Sequence, residues 1–218
     1  MKISLIGATG YVGNAILKEL LERNYQVTAI ARNTDKLNIE NKNLQKKNID
    51  IFNQNVLAEG IKDSDAVISA YNPGWTNPNI HDEYLKGAAA IQNAVESSGV
   101  KKLIVIGGAG TLKIDGNYGV DNPDFPKQFY PGASAVKKYF VENLSKNKML
   151  DWEFFSPAIE MSSASDAQVK TGKYRLGKDS PVFDKEGRSR LSVEDLAVAI
   201  VDELENKKFN QQIFTAAY

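Results

Sequence analysis

A chain of 218 residues is the size of one large α/β domain, and a hydrophobic share of 42% is enough for a substantial core. The formal net charge is zero, and the basic runs Lys46-Lys47, Lys137-Lys138 and Lys207-Lys208 are only pairs, so the electrostatic footprint of a nucleic-acid partner is missing. The absence of cysteine excludes disulfides, thiolate catalysis and cysteine metal sites.

The chain opens on a buried strand, Ile3-Ser4-Leu5-Ile6. That apolar run is too short for a signal peptide, and no segment approaches a membrane span, so a soluble cytoplasmic protein with no membrane partner is expected. Residues 11–23 read as a helix with Val12, Ile16, Leu17, Leu20 and Leu21 on one face. Val27-Thr28-Ala29-Ile30 is a second strand, residues 44–49 a third, and residues 65–70 a fourth. Residues 84–97 form a long alanine-rich helix, and residues 102–106 a fifth strand with a β-branched centre. Strands alternating with helices predict βαβ units and a parallel sheet.

The second half is less regular. Residues 133–147 read as a helix, with Val136, Phe140, Val141 and Leu144 at helical spacing, and residues 152–155 as a sixth strand. Turn signals at Gly172, Gly177 and Gly187 break up the next stretch. The short runs Tyr174-Arg175-Leu176 and Pro181-Val182-Phe183 suggest a small hairpin there. Ser192 can cap a final helix whose first turn carries Glu194 and Asp195 and whose inner face carries Leu196, Ala199, Ile200 and Leu204. Residues 212–215 close the sheet. The expected architecture is a Rossmann-type, doubly wound, mostly parallel α/β sheet with helices on both faces and a small C-terminal substrate lobe. One domain spans residues 1–218, with residues 157–191 as the substrate-side excursion.

One motif carries chemistry. Gly7-Ala8-Thr9-Gly10-Tyr11-Val12-Gly13 directly follows the first strand and opens the first helix. Gly7 permits a tight turn out of the strand, Gly10 lets the backbone approach a pyrophosphate, and Gly13 permits close packing of helix on strand. The helix N-terminus offers N–H groups and a positive dipole end to phosphates. The flanking strands and helix supply the context this glycine pattern requires, so a dinucleotide site is predicted. The end of the second strand reads Ile30-Ala31-Arg32-Asn33, with no acidic residue to hold ribose hydroxyls. Arg32 can grip a 2′-phosphate through two parallel hydrogen bonds, and Lys36 can assist, so NADP(H) is preferred and NAD(H) remains possible.

Further cofactor contacts follow from topology, because ligands sit beyond the carboxyl ends of parallel strands. Those ends are Asp50-Ile51, Ala70-Tyr71-Asn72, Gly107-Gly108-Ala109 and Ser156-Pro157. Asp50 can accept from an adenine amino group, and Gly107 and Gly108 would admit a nicotinamide ribose.

The glycine motif, with Arg32 and Gly107-Gly108-Ala109-Gly110-Thr111, resembles the atypical, extended-like short-chain dehydrogenase/reductase superfamily. Asp151-Trp152, Ser156-Pro157, Thr171-Gly172-Lys173-Tyr174-Arg175 and Ser192-Val193-Glu194-Asp195-Leu196-Ala197 make the chain similar to the NADH-flavin reductases, which are themselves similar to biliverdin-IXβ reductase and NmrA-like proteins. The resemblance implies about seven strands and NADP(H) as hydride carrier. Residues 161–166 depart from the Pro-Gly-containing stretch expected before Thr171-Gly172, and this segment should border the substrate pocket.

Most short-chain dehydrogenases use Tyr-x-x-x-Lys on the helix after the fifth strand, where one helical face brings the two side chains together. Here Tyr130 is followed four residues later by Ser134, and Tyr139 by Asn143. The literal match, Tyr174 and Lys178, spans Gly177 in the predicted hairpin and reads as accidental. Two readings stay open. One is a reductase that holds NADP(H) against a small-molecule acceptor, flavin-like, quinone-like or otherwise conjugated, with solvent supplying the proton and with Thr111 and Tyr130 orienting the acceptor. The other is a non-catalytic redox sensor or regulator of the NmrA-like kind. His81, the sole histidine, reads as a surface residue close to the substrate region. Trp75 reads as loop or core packing, with stacking on a flat acceptor as the alternative. Asp121, Asp124, Asp179 and Asp184 are scattered among turn residues without metal-ligand spacing, so no metal is expected. The natural acceptor and the oligomeric state are left open by the sequence.

Overall fold

The computed structural model describes residues 1–161 and 169–218. In chain order the elements are β1 (Lys2–Ile6), α1 (Tyr11–Glu22), β2 (Gln26–Ala31), β3 (Leu44–Asn48), α2 (Gln54–Ile61), β4 (Ala66–Ser69), α3 (Ile80–Ser98), β5 (Lys102–Ile106), β6 (Lys113–Ile114), β7 (Asn117–Tyr118), α4 (Tyr130–Glu142), β8 (Asp151–Phe155), β9 (Arg175–Gly177), α5 (Val193–Asn206) and β10 (Gln212–Ala217). Eight strands form one sheet in the order β3-β2-β1-β4-β5-β8-β10-β9, parallel throughout except for β9, and β6 and β7 make a separate antiparallel ribbon. The fold is Rossmann-like α/β.

Alternation along the central strands builds two core layers. Ile3 and Leu5 of β1, Ile68 of β4 and Ile104 of β5 face the layer that α1 and α5 cover. Ile6, Val67, Leu103 and Val105 face the layer that α2, α3 and α4 cover. Strands buried on both faces are near-continuous apolar runs, as parallel sheets require. The chain moves outward from β1 to β2 and β3, then returns to place β4 on the other side of β1. The carboxyl ends of β1 and β4 therefore flank the point where strand order reverses, the place where open α/β sheets bind ligands.

Four expectations are corrected. Residues 174–176 and 181–183 do not pair with each other. Instead Arg175–Gly177 lies antiparallel to β10 and covers its open edge, while residues 181–183 form no strand. Gly177 makes this approach possible, because a Cβ there would come within 2.9 Å of Thr215 Cγ2 and 2.7 Å of Val182 Cγ2. The long helix begins at Ile80 rather than at residue 84, so His81 stands in its first turn. The next helix begins at Tyr130, with Pro131 in the first turn where its missing N–H costs nothing, and it ends at Glu142 before a separate 3₁₀ turn at Leu144–Lys146. The closing strand runs on to Ala217. Among the described residues no helix is long and apolar enough to cross a membrane, and no group of three or more His, Cys, Asp or Glu could hold a metal ion.

Candidate functional site

The β1–α1 turn is shaped by backbone contacts that side chains would destroy. Gly7 has φ +80°, and a Cβ on it would lie 2.6 Å from the Ala70 carbonyl oxygen at the end of β4. A Cβ on Gly13 would lie 2.1 Å from the Gly7 carbonyl oxygen, so α1 rests directly on the turn. Gly10 is the N-cap of α1. No side chain caps the helix there, and its first turn holds no acidic residue. The first-turn N–H groups of a helix have no acceptor within it, and this terminus carries partial positive charge with no carboxylate competing for it. Ala8 is buried, while Thr9 and Val12 are half-buried and Tyr11 is exposed.

Beside this terminus, at the ends of β2, β3 and β4, stand Arg32, Asp50 and Tyr71. The Arg32 guanidinium is exposed and has no carboxylate partner among the described residues. Asp50 is exposed, and its Oδ1 accepts from the Phe52 N–H at 3.0 Å, which fixes the turn after β3. Ile51 turns its side chain into the core. The Tyr71 hydroxyl donates to the Glu83 carbonyl at 3.1 Å. Burial and the Glu83 charge push its pKa up to about 12, Arg32 opposing and Asp50 adding to the rise. Those couplings place Arg32 and Asp50 within electrostatic reach of the same ring. Gly87 completes the arrangement: a Cβ on it would lie 2.4 Å from the Tyr71 ring. Sequence reasoning missed this residue, although a glycine inside an alanine-rich helix is a signal of close approach. Asn72 is exposed, and its Oδ1 accepts from the Gly74 N–H at 2.7 Å.

The ends of β5 and β8 meet nearby. Gly107 is required by the protein itself, since a Cβ there would strike the Phe154 ring at 2.2 Å. Gly108 is different: the nearest atom to its Cβ position is 3.9 Å away, on Val136. Nothing in the packing of the described residues demands a bare Cα there. Thr111 is fully buried. Its hydroxyl donates to the Gly108 carbonyl at 2.6 Å and lies 2.5 Å from the buried Ser156 hydroxyl. Thr111 therefore holds the β5 and β8 loops together and faces the interior, so any influence on an acceptor passes through Gly108. Ser156 serves the same internal link, and Pro157 is buried after it.

Tyr130 is half exposed at the start of α4 and stands between two shallow grooves, of about 390 and 640 Å³. The first is lined by Val120, Pro123 and Phe125, the second by His81, Ser134, Lys137 and Lys138, and neither includes a residue of the glycine turn. Lys137 is tied to Asp121 at 2.6 Å and lies over the Tyr118 ring at 5.6 Å. Tyr139 is buried and donates to Gln92 Oε1 at 3.0 Å, and burial holds it firmly in the neutral form. Tyr174 bonds Asp202 on α5, so the Tyr174–Lys178 spacing is spent on structure. The His81 ring lies 2.8 Å from Asp82 at the surface. Trp75, half exposed, packs edge-on against Phe129 with ring centroids 5.5 Å apart. Residues 162–166, the greater part of the segment expected to border the substrate pocket, lie outside the described residues.

Known proteins align with this geometry from end to end. A family described as NAD(P)H-binding matches residues 7–206. The chain is similar to the uncharacterized protein YwnB of Bacillus subtilis, with 35% identity over 99% of this chain and 97% of that protein. A solved structure from Bacteroides thetaiotaomicron, provisionally named an epimerase, is 43% identical with a TM-score of 0.92 and covers 100% of this chain and 96% of its own. Another from Streptococcus pneumoniae, provisionally named an NADH-flavin reductase, is 31% identical with a TM-score of 0.86 and covers 100% and 99%.

Proposed function

The chain belongs to the NAD(P)H-binding family, as an atypical member of the short-chain dehydrogenase/reductase type, and from that premise we propose that it is an NADP(H)-dependent reductase of flavin-like, quinone-like or other conjugated acceptors. The observation that carries this reading is the pairing of an acid-free helix terminus without a capping side chain with an Arg32 guanidinium that has no carboxylate partner among the described residues. The first suits a pyrophosphate and the second a 2′-phosphate. The provisional name of the pneumococcal relative supports the reductase class.

The residues fit the cofactor. The amides of residues 11–13 would hold the pyrophosphate, since the Gly10 N–H is donated to the Gly7 carbonyl at 3.0 Å; Arg32 with Lys36 would hold the 2′-phosphate, and Asp50 the adenine amino group. The bare Cα of Gly108 would admit the nicotinamide ribose. When bound, the cofactor supplies a hydride. A flavin or quinone takes it with one proton from water, so two electrons leave the donor and no side chain is consumed. That balance suits a site without a tyrosine–lysine pair. The chain's task is then to hold donor and acceptor near the ~3–3.5 Å separation of a reactive encounter.

Steady-state turnover with NADPH and NADH against riboflavin, FMN and quinones tests this directly. NADPH oxidation by the wild-type protein is expected. Arg32→Ala should weaken NADPH about tenfold and NADH less than twofold, the loss of a charge-assisted hydrogen bond to phosphate. Tight NADPH binding with no turnover on any acceptor would instead establish the sensor reading. Equal losses for the two nucleotides would remove Arg32 from the 2′-phosphate.

A further inference from the structure

We propose that Trp75, Phe129 and Tyr130 form a stacking platform for a planar, electron-poor ring, with Trp75 as the residue that selects flat acceptors. This inference rests on the reductase reading and names the acceptor subsite within it.

Trp75, exposed by 53%, and Phe129, exposed by 42%, pack on each other, and Tyr130, exposed by 50%, follows Phe129 at the start of α4. A lone exposed aromatic needs no explanation, but a fixed group of them marks a binding surface. Trp75 is fixed from behind. A Cβ on Gly132 would lie 2.8 Å from Trp75 Cζ3, so the indole rests on the bare backbone of α4. A larger residue at 132 would push it away.

Its loop is equally constrained. Gly74 adopts φ +108° although nothing lies within 4 Å of its Cβ position, so glycine is needed there for conformation rather than for space. The Asn72 side chain accepts from the Gly74 N–H at 2.7 Å, the Gly74 carbonyl accepts from the Asn77 N–H at 3.0 Å, and Asn77 Nδ2 donates to Glu83 Oε2 on α3 at 2.8 Å. The indole is thus held in place before any ligand arrives, which removes an ordering cost from binding.

The position matches the expected path of the acceptor. Arg32 and Asp50 place the adenosine half of the cofactor over β2 and β3. The nicotinamide half must then extend over β4 and β5. Trp75 lies on the crossover that leaves β4, and Phe129 and Tyr130 on the one that leaves β5. Trp75 and Phe129 meet at 81°, so their rings form a corner. A planar guest can stack on one ring and take the edge of the other, the two arrangements aromatic rings prefer. Tyr130 adds a hydroxyl for a carbonyl of the guest. An isoalloxazine or quinone ring would cover this corner with its flat face.

A flavin stacked on an indole loses its own green emission, which is excited where no tryptophan absorbs, so riboflavin emission reports the contact without interference from the buried Trp152. Riboflavin titrated with the full chain should show saturable quenching of its own emission. Trp75→Leu should lift most of that quenching and raise the acceptor KM about tenfold, while Trp75→Phe should raise it two- to threefold. The NADPH dissociation constant should stay unchanged in both variants, and both should remain folded at the assay temperature with only a modest drop in thermal midpoint. Unchanged acceptor KM in Trp75→Leu overturns the platform and leaves the reductase reading standing. Saturable quenching that depends on Trp75, without turnover on any acceptor, overturns the reductase reading and leaves the platform. Absence of quenching in the wild type, or a patch that serves only to associate copies of the chain in sedimentation experiments, overturns the platform as well.

Discussion

Helices α1 and α5 cover the same face of the sheet and pack on each other, yet their N-termini are put to opposite uses. The start of α5 is consumed by the protein. Ser192 accepts from the Asp195 N–H at 3.0 Å, and Glu194 and Asp195 stand in the first turn. The buried Asp195 carboxylate then receives the Thr171 N–H at 3.0 Å, the Thr171 hydroxyl at 2.7 Å, the Gly172 N–H at 2.7 Å and the Tyr218 hydroxyl at 2.6 Å. Negative charge, cap and dipole are all matched internally. The start of α1 has no capping side chain, no acid and a glycine turn pressed against β4. The same physics that closes one terminus leaves the other open to an anion. Helix α4 also lacks a capping side chain and a first-turn acid, so what sets the α1 terminus apart is that open N–H groups coincide with a glycine turn at the carboxyl end of β1.

The largest expected effect breaks the open terminus. Gly13→Ala places a methyl group 2.1 Å from a backbone oxygen that cannot step aside. The helix must lift from the turn, at a cost of about 3 kcal/mol or more. Differential scanning calorimetry should show a large drop in midpoint, and calorimetric titration should show loss of NADPH binding. A variant with wild-type stability and affinity would contradict the close packing of α1 on the turn.

A comparable loss with the opposite functional signature is expected at the closed terminus. Asp195→Asn leaves one acceptor oxygen and turns an NH₂ toward several donors, which should cost about 2–3 kcal/mol in urea unfolding while NADPH affinity stays unchanged. The pH dependence gives the sign. Burial alone would raise the Asp195 pKa, but hydrogen bonds from Tyr218, Thr171 and Gly172 outweigh it and hold the carboxyl below its ordinary range. Its contribution is present above the unfolded-state value, about pH 4, and is lost as pH falls through the folded one. The gap between wild type and Asp195→Asn should therefore narrow only below about pH 4. A gap that closes near neutrality would show that another group carries the effect.

These two termini also show what could be read without coordinates. The α1 turn was legible because each glycine has a separate geometric duty at a fixed spacing. The central strands were legible because burial on both faces leaves them almost wholly apolar. Helix α2 was not, since only Leu57 and Ile61 of its eight residues are buried, too few to define a period. Asp115-Gly116 was a readable hairpin signal that passed unnoticed. Both residues have positive φ, 51° and 83°, in the turn between β6 and β7, but strands of two residues leave no alternation to support it. Strand β9 overlaps the short run 174–176 that the sequence offers, but its partner was not legible, because the strand pairs with the distant open edge of β10 and not with residues 181–183. At the site, Arg32 could be read from its place after β2. The contact of Trp75 with Phe129 and Gly132 joins two crossovers more than 50 residues apart, and no local spacing reports it. Thr111 reads from the sequence as a residue that orients an acceptor, and no spacing in the sequence reports that its hydroxyl meets Gly108 and Ser156 in the interior.

The smallest stability effect is the sharpest discriminator, because it separates two adjacent glycines by the reason each is there. Gly107→Ala must displace the Phe154 ring, found 2.2 Å from the new Cβ, and should lower stability by about 1–3 kcal/mol whether or not a nucleotide is present. Gly108→Ala meets nothing closer than 3.9 Å and should leave the thermal midpoint unchanged, or raise it slightly through a less flexible unfolded chain. If the bare Cα at 108 exists for the ribose of the cofactor, the same variant should weaken NADPH several-fold, about 1 kcal/mol by titration calorimetry, the cost of a methyl group in a fitted contact. An unaltered affinity would move the cofactor off the end of β5.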